Sequence, residues 1–468
     1  MTVPTAAQSP QSTIAAGHRS AEEIGRTPLG PRPLPPLGEQ RSMPEPDMLD
    51  TRLDNGLRVI AVHRPTVPMA ELRLRIPFAG EDPTHAARAE LLSTTLLSGT
   101  ERRSRVQIDS DLARVGGELD AGVDPERLSI SGSALSDGVD VLLDVLADAL
   151  TSAAYRTEEV TRERDRLVER IALARSQPRV IAREALQRHR YGDHPFTREV
   201  PEGDAVAAVS EDDVRQLHGA AVLPRGSVLV LVSALEPQQA VDSVARAFSG
   251  WSAQGAAAEL PPLPEVRGGD LLLVHRPGAV QSQIRLSAQA VPRTDPDYPA
   301  LQVANLVFGG YFSSRWVENI REDKGYTYGA HSYLEFTPHG ATLLAEADTA
   351  SEVTAPALLE TRYELGRLAL VPPGEEEVES ARRYAIGSLL TSTASQSGLA
   401  SMLIALAEVG LGPEWLREHP GRLAAVTREQ IAEAAQRFFA PSRWTGVVVG
   451  DAEQLGTQMA ALGGVRLP

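Results

Sequence analysis

The sequence predicts an α+β fold made of two homologous lobes, each a mostly antiparallel sheet covered by helices. The chain of 468 residues is too long for a single hydrophobic core. The tetrapeptide V-H-R-P at Val62–Pro65 returns 212 residues later at Val274–Pro277. Strand-like segments also alternate with long helical segments in both halves. The second copy therefore restarts the fold.

Strand and helix signals are clear within each half. Apolar residues that alternate with polar ones, as a half-buried strand requires, are Ala70, Leu72, Leu74 and Ile76. Long helices are predicted at residues 142–150, 158–174 and 376–390. This mixture gives the class α+β, whereas the order of the strands does not follow from the pattern.

Three further pairs of segments keep nearly the spacing of the V-H-R-P pair. Two acidic helix starts lie 218 residues apart, and two segments that resemble capping boxes lie 217 apart. The pairs are Glu158–Val160 with Glu376–Val378, Ser210–Val214 with Thr427–Ile431, and the apolar runs Val228–Val232 with Val447–Val449. Their common order indicates one repeat register through two hundred residues.

Composition divides the chain into four parts. Residues 1–45 are rich in Pro, Ser, Ala and Gly, which predicts a disordered Pro-rich tail. Residues 46–254 form the predicted N-terminal lobe, with a Pro- and Gly-rich linker at 255–269. Residues 270–468 form the predicted C-terminal lobe.

Charge and residue types exclude several classes of function. The formal net charge of −16 disfavours nucleic acid and anionic membranes as partners. The chain has no Cys, which excludes disulfides, thiolate catalysis and Cys-based metal sites. Neither a run of 18 apolar residues nor a signal-peptide pattern is present, so we expect a cytoplasmic protein with no membrane association.

The segment R-E-D-K-G-Y-T-Y, Arg321 to Tyr328, carries the most suggestive chemistry. It places a guanidinium and a phenol seven residues apart, on either side of Gly325, which is the residue type that ends helices. This pair can donate hydrogen bonds to a carbonyl oxygen, but it supplies neither a nucleophile nor a metal ligand. Read alone, the segment favours structural roles, with Arg321 in a surface ion pair with Glu322 or Asp323 and Tyr328 as a half-buried strand aromatic.

The ten His residues offer no helical metal site, because no two are spaced i, i+3 or i, i+4. His189 and His194 could chelate from a loop, although local hydrogen bonding is the more usual role of such residues. His63 and His275 occupy equivalent repeat positions at strand ends, which predicts a shared structural role. Nucleophile-elbow and phosphate-loop motifs are missing, and Gly309-Gly310 is interpreted as a turn beside a helix.

Several segments together resemble the pitrilysin/insulinase family of zinc metallopeptidases, in the branch similar to mitochondrial processing peptidase. They are H-P-F at His194–Phe196, F-G-G-Y-F-S-S-R-W at Phe308–Trp316 and R-E-D-K-G-Y-T-Y. With the duplicated lobes, the resemblance covers roughly residues 48 to 465.

Catalytic members of that family carry H-x-x-E-H on a helix, where two His bind zinc and the Glu activates water, with a third ligand Glu downstream. Alignment on Leu97–Thr100 places the five positions at Glu90, Leu91, Leu92, Ser93 and Thr94. The third position falls on Arg170, with Glu169 one place away. The resemblance therefore implies degenerate metal positions at Glu90, Ser93, Thr94 and Arg170, no metal in this chain, and zinc in a partner subunit.

The resemblance also assigns a role to the Arg and the Tyr. In the family, such a pair on the second lobe faces the zinc site and holds the substrate backbone, which implies substrate-binding and oxyanion roles for Arg321 and Tyr328. The chain is then the non-catalytic subunit of a heterodimeric metallopeptidase, inactive alone, that positions extended leader peptides or unfolded peptides. The alternative is a catalytically inert scaffold protein of the same fold. An active homodimeric metallopeptidase would require ligands that the sequence does not contain.

Overall fold

Two six-stranded sheets, one in each repeat, organise the fold. The computed structural model describes Glu22 and residues 45–252, 255–338 and 340–468. Apart from Glu22 and Glu45, the predicted tail lies outside the described residues. The strand order is β1-β2-β6-β3-β5-β4 in the first sheet. Its strands are β1 Met48–Arg52, β2 Arg58–His63, β3 Met69–Pro77, β4 Glu118–Val123, β5 Arg127–Leu135 and β6 Val228–Ser233.

Eight α-helices belong to the first repeat. The predicted capping box at Ser210 is confirmed, since Ser210 Oγ accepts from the Asp213 amide and the Asp213 side chain accepts from the Ser210 amide. The helices are α1 His85–Thr95, α2 Arg105–Arg114, α3 Val139–Ser152, α4 Thr157–Ser176, α5 Pro178–Tyr191, α6 Gly203–Ala207, α7 Glu211–Ala221 and α8 Pro237–Ala247.

The second sheet repeats the first with one strand changed. Its order is β12-β7-β11-β8-β10-β9, and the five successive strands β7, β11, β8, β10 and β9 correspond to β2, β6, β3, β5 and β4. At one edge the first sheet has the antiparallel β1, whereas the second has the parallel β12. The strands are β7 Leu271–His275, β8 Gln281–Gln289, β9 Thr327–Thr337, β10 Gly340–Ala350, β11 Thr445–Gly450 and β12 Val465–Arg466. The prediction of mostly antiparallel sheets covered by helices is confirmed.

The second repeat adds eight further α-helices. Thr427 forms the second predicted capping box with Gln430. The helices are α9 Tyr298–Asn305, α10 Arg315–Val317, α11 Thr354–Leu370, α12 Glu375–Ser392, α13 Gln396–Glu408, α14 Glu414–Ala425, α15 Arg428–Phe438 and α16 Ala452–Leu462. Among the described helices, none alone has the length and apolar content to cross a membrane, and α12 with α13 meets that standard only as a pair bent by 108°.

The two repeats exchange one helix each. Helix α5 of the first repeat packs on β8 and β11 of the second sheet, and helix α13 of the second repeat packs on β3 and β6 of the first. The two helices begin 218 residues apart, at the spacing of the repeat. The exchange makes each sheet depend on the other repeat for part of its cover.

Polar side chains fix both exchanged helices to the opposite sheet. On α5, Arg190 donates to Ser287 Oγ and Thr342 Oγ1, both at 3.1 Å, and to Glu335 Oε2 at 3.0 Å. On α13, Glu408 accepts from Arg127 of β5 at 2.8 Å. A charged residue near the end of each helix thus meets a polar partner in the other repeat.

Candidate functional site

Arg321 and Tyr328 lie together at one end of the second sheet. Arg321 is in a π-helical turn, Glu318–Asp323, that continues from α10. Tyr328 is the second residue of β9, which is the last strand in the sheet order. Between them Gly325 has a φ of +65°, so the predicted role of this glycine in ending the helix is confirmed. The short turn brings the guanidinium back beside the strand.

The Arg321 side chain is held by three neighbours. Its Nε donates to the Tyr328 carbonyl oxygen at 2.9 Å, and its Nη1 donates to Glu322 Oε1 at 2.6 Å. The guanidinium carbon lies 4.2 Å from the centre of the Phe312 ring and 5.9 Å from that of the Tyr328 ring. Within the described residues Nη2 has no hydrogen-bond partner, so an oriented N–H edge remains available to a ligand.

Two of the aromatic rings at the site are open to solvent. The Tyr328 residue is 94% exposed and Phe312 is 60% exposed. Large exposed aromatic residues that lie beside an oriented cation are typical of binding surfaces. Phe312 lies within the F-G-G-Y-F-S-S-R-W segment, but no local pattern in the sequence links it to Arg321, because only the fold brings the two together.

The turn that carries Arg321 rests on a rigid base. Trp316 is fully buried, stacks on Phe308 with ring centres 5.2 Å apart, and donates from Nε1 to Thr361 Oγ1 at 3.0 Å. Arg315 forms a two-pronged ion pair with Glu377 at 2.7 and 2.8 Å. Gly309-Gly310 ends another π-helical turn, Leu306–Gly310, rather than forming a separate turn beside a helix. The neighbouring packing fixes the direction of the Arg321 backbone.

Gly325→Ala is expected to destabilise this turn, because a Cβ at a φ of +65° is strained. No atom lies within 4 Å of the position that this Cβ would take, so the cost comes from the backbone alone. We expect the free energy of unfolding to fall by about 1 kcal/mol, measured by urea denaturation. Gly329→Ala, at a glycine whose φ is not positive and whose Cβ would also meet open space, is the matched control. Equal losses in both variants would contradict this account.

The positions aligned with the zinc motif hold side chains that bond to their own helix. On α1, Ser93 Oγ donates to the Glu90 carbonyl oxygen at 2.9 Å, and Thr94 Oγ1 donates to that of Leu91 at 3.1 Å. Arg170 lies on α4, which packs against α1. A single carboxylate with two hydroxyl groups and a nearby cation is a poor donor set for Zn²⁺. In the described part of the chain, no group of three His, Asp or Glu residues is arranged to hold a metal.

Glu90 is the ionisable group that the fold perturbs at these positions. Burial raises the pKa of its carboxyl above the ordinary value of 4.5, the charge of Arg170 lowers it, and the charge of Glu199 raises it. Burial also raises the pKa of Glu199. Two carboxyl groups with raised pKa values therefore lie beside the first helix.

Glu90→Gln is expected to stabilise the chain at neutral pH. The pKa of Glu90 is raised in the folded state. Below the unfolded pKa the carboxyl is protonated in both states, so its burial does not reduce the free energy of unfolding. As the pH rises through the folded pKa, the buried carboxyl becomes charged and stability is lost. The gain from the substitution should therefore be present at pH 7 to 8 and vanish towards pH 4. Chemical denaturation at several pH values measures it, with Glu169→Gln on the exposed side of α4 as the control. A gain that grows as the pH falls would contradict the prediction.

The histidines considered as loop ligands both have hydrogen-bond partners, distant in the chain for His189 and local for His194. His189 lies inside helix α5 rather than in a loop, and its Nε2 is 2.7 Å from Thr445 Oγ1. His194 Nδ1 accepts from the Phe196 amide at 3.1 Å. His63 and His275 each end a strand, and each contacts the segment that leads into the helix after the neighbouring parallel strand, at Leu235 and Ala452 respectively. Both histidines thus join a strand end to the backbone near the start of that helix, but His63 Nδ1 donates to a carbonyl oxygen whereas His275 Nδ1 accepts from an amide.

Two family profiles match successive parts of the chain. Residues 58–202 match the profile described as insulinase (peptidase family M16), and residues 208–384 match the one described as the peptidase M16 inactive domain. The first match contains the aligned zinc-motif positions, and the second contains both Arg321 and Tyr328.

Relatives of the chain are named uncharacterized zinc proteases. One from Mycobacterium leprae is 27% identical over 62% of this chain and 67% of its own length. One from Streptomyces coelicolor is 28% identical over 60% of this chain, and the match spans only 63% of that relative. One from Mycobacterium bovis is 25% identical over 86% of this chain and 92% of its own.

Solved structures share the fold. The crystal structure of a peptidase M16 inactive domain from Pseudomonas fluorescens superimposes with a TM-score of 0.78 at 20% identity, covering 86% of this chain and 98% of that one. That of a protease from Helicobacter pylori gives 0.79 at 17% identity, covering 86% and 99%.

Proposed function

The chain belongs to the M16 insulinase family, and from this premise we propose that it is the zinc-free subunit of a two-subunit metallopeptidase. In this proposal, a homologous partner carrying H-x-x-E-H holds the zinc and the general base. The present chain supplies Arg321 and Tyr328, which bind and position the substrate. The two chains act together in the cytoplasm.

One observation carries the proposal: the oriented N–H edge of Arg321 lies beside the exposed Tyr328 ring. A guanidinium N–H and a phenol O–H can both donate to the carbonyl oxygen of a scissile peptide bond and to the oxyanion that forms from it. Water attack on that carbon needs an activated nucleophile, which neither side chain provides. A metal-bound water in the partner would complete the reaction.

The substrates that suit such a site are extended peptides. A backbone that is already unfolded can add to the edge of a sheet and present its carbonyl groups at regular spacing. In this proposal the peptide pairs with a sheet edge in the partner subunit while Arg321 and Tyr328 hold one carbonyl oxygen. Unfolded leader peptides meet this requirement, whereas folded proteins do not.

The proposal is tested by co-expression with a homologue that carries H-x-x-E-H, sought first in the neighbouring gene. We expect the two chains to co-purify and to cleave an unfolded leader peptide at a rate that neither reaches alone. Co-purification without any gain in cleavage would favour the scaffold function instead. Failure to associate with any such homologue would also count against a peptidase subunit.

A further inference from the structure

A second candidate site lies in the C-terminal repeat, away from Arg321 and Tyr328. A cavity of about 1000 Å³ opens between residues 293–300, the loop 410–414 and the helices α14 and α15. We call it the Arg293 cavity. Neither Arg321, Tyr328 nor Glu90 lines it. Its volume is in the range of cavities that hold small molecules.

Arg293 is a cation in this cavity that has no acidic partner among the described residues. Its guanidinium carbon lies 4.0 Å from the centre of the Phe336 ring and 5.6 Å from that of Trp415. Its one hydrogen bond among the described residues is to Tyr298 Oη at 3.4 Å. By contrast, the other two arginines of the cavity are paired, Arg437 with Asp297 and Arg422 with Glu418. The aromatic rings pack against the face of the Arg293 guanidinium, so N–H groups at its edge remain available to donate to an oxyanion.

Two buried ring nitrogens in the cavity wall also lack partners. Trp415 is 4% exposed and His419 is 1% exposed, and their rings stack with centres 4.0 Å apart. Within the described residues, neither Trp415 Nε1 nor His419 Nδ1 has a hydrogen-bond partner. Such buried groups each cost about 1–3 kcal/mol when they are unpaired. Each nitrogen has less than 1 Å² of accessible surface, so both lie just beneath the cavity wall.

The second nitrogen is an acceptor. His419 Nε2 lies 2.8 Å from Gln302 Oε1, so Nε2 carries the proton and Nδ1 presents a lone pair. Burial lowers the pKa of His419 to about 3, and the charges of Arg293 and Arg422 act in the same direction. The imidazole is neutral at physiological pH, and Nδ1 is a hydrogen-bond acceptor without a donor among the described residues.

Arg293 has no acidic partner, and Trp415 Nε1 and His419 Nδ1 have no hydrogen-bond partner, among the described residues. From these three groups we propose that the Arg293 cavity binds a small molecule with a carboxylate next to an N–H donor. A free amino acid and the carboxyl-terminal residue of a short peptide both have this chemistry. The carboxylate accepts from Arg293 and Trp415 Nε1, and the N–H donates to His419 Nδ1. Glu414 and Glu433 also line the cavity and have no cationic partner among the described residues, so they can face an ammonium group. The inference does not rest on the proposed peptidase role.

Calorimetric titration of the purified full chain tests this site. The probes are L-leucine, tri-alanine with a free carboxyl terminus and tri-alanine with a carboxamide terminus. We expect one site per chain, filled by leucine or by the free-carboxyl peptide, and binding of the carboxamide weaker by at least about tenfold. Binding of leucine alone identifies a free amino acid as the ligand, and tighter binding of the peptide identifies a peptide terminus.

Variants assign the binding to the named atoms. Arg293→Gln should weaken binding by about tenfold or more, and Trp415→Phe, which keeps the ring and removes the N–H, by several-fold. Arg225→Gln, at an exposed arginine of the first repeat, should leave it unchanged. Circular dichroism checks folding, and if Arg293→Gln does not fold, Trp415→Phe decides. The proposal is overturned if no probe binds up to roughly 10 mM, if the carboxamide binds equally well, or if the folded cavity variants bind like the wild type.

Discussion

Arg321→Ala is expected to lower peptide turnover by the assembled peptidase about a hundredfold, which is the usual effect of removing one oxyanion donor. The side chain contributes its N–H edge at the surface, where Glu322 and Phe312 hold it, so truncation should leave the fold and the assembly intact. Turnover of a fluorogenic leader peptide measures the first effect, and gel filtration of the complex measures the second.

Lys324→Ala is the matched control for Arg321. Lys324 follows the same π-helical turn, and its one side-chain ion pair among the described residues is a long one, 3.8 Å, with Glu360, so its loss should change turnover less than about twofold. Tyr328→Phe tests the phenol: with the residue 94% exposed, stability should change by less than about 0.5 kcal/mol while turnover falls. Wild-type turnover in both site variants would rule out the proposed role of the pair.

Arg190→Ala is expected to reduce the free energy of unfolding by about 3 kcal/mol, the lower end of the cost of breaking a buried ion pair, because Arg190 is buried whereas the Glu335 side chain is 22% exposed. The Arg190 side chain is 1% exposed, and its loss removes a hydrogen-bond donor from Ser287, Thr342 and Glu335. Glu335 Oε2 keeps the hydrogen bond that Thr342 Oγ1 donates at 3.2 Å. These partners lie in the other repeat, so the substitution weakens the docking of α5 on the second sheet. Urea denaturation monitored by tryptophan fluorescence measures the change.

Arg188→Ala is the control on the same helix. Arg188 is exposed, and its substitution should change the free energy of unfolding by no more than about 0.5 kcal/mol. If Arg190→Ala were as mild as this control, helix exchange would not couple the two repeats. A second, separate unfolding transition in Arg190→Ala would show that the two repeats had become independent.

The duplication could be predicted from the sequence because it is recorded in local patterns. Val62 and Val274 each lie next to the last residue of a strand, and each pairs with a parallel strand of the apolar runs identified beforehand, at Val232 and Val449. A capping box depends on two residues that are three positions apart, so the capping boxes at Ser210 and Thr427 could also be predicted from the sequence.

The helix exchange could not be predicted in the same way. Nothing in the periodicity of α5 indicates which sheet covers its apolar face, since packing on either sheet requires the same pattern. The edge strands could not be predicted from the sequence either, because β12 has only two residues and takes the edge position that β1 holds in the other sheet. Long-range packing decides both features.

Part of the candidate site could be predicted from the sequence and part could not. Arg321 and Tyr328 are seven residues apart, and a helix end at Gly325 is enough to bring them together. Phe312 joins them only through the fold, and the Arg293 cavity combines residues from segments more than one hundred positions apart. Sequence patterns therefore indicated the pair of donors but neither its aromatic support nor the second cavity.

The central claim is that this chain contributes donors to a metal held by another subunit. Zinc content and leader-peptide turnover, measured on the purified chain alone and again with its H-x-x-E-H partner, test it most directly. We expect less than stoichiometric zinc and negligible turnover for the chain alone, and one zinc per heterodimer with Arg321-dependent turnover for the pair. One zinc per chain with full turnover in the isolated protein would contradict the claim.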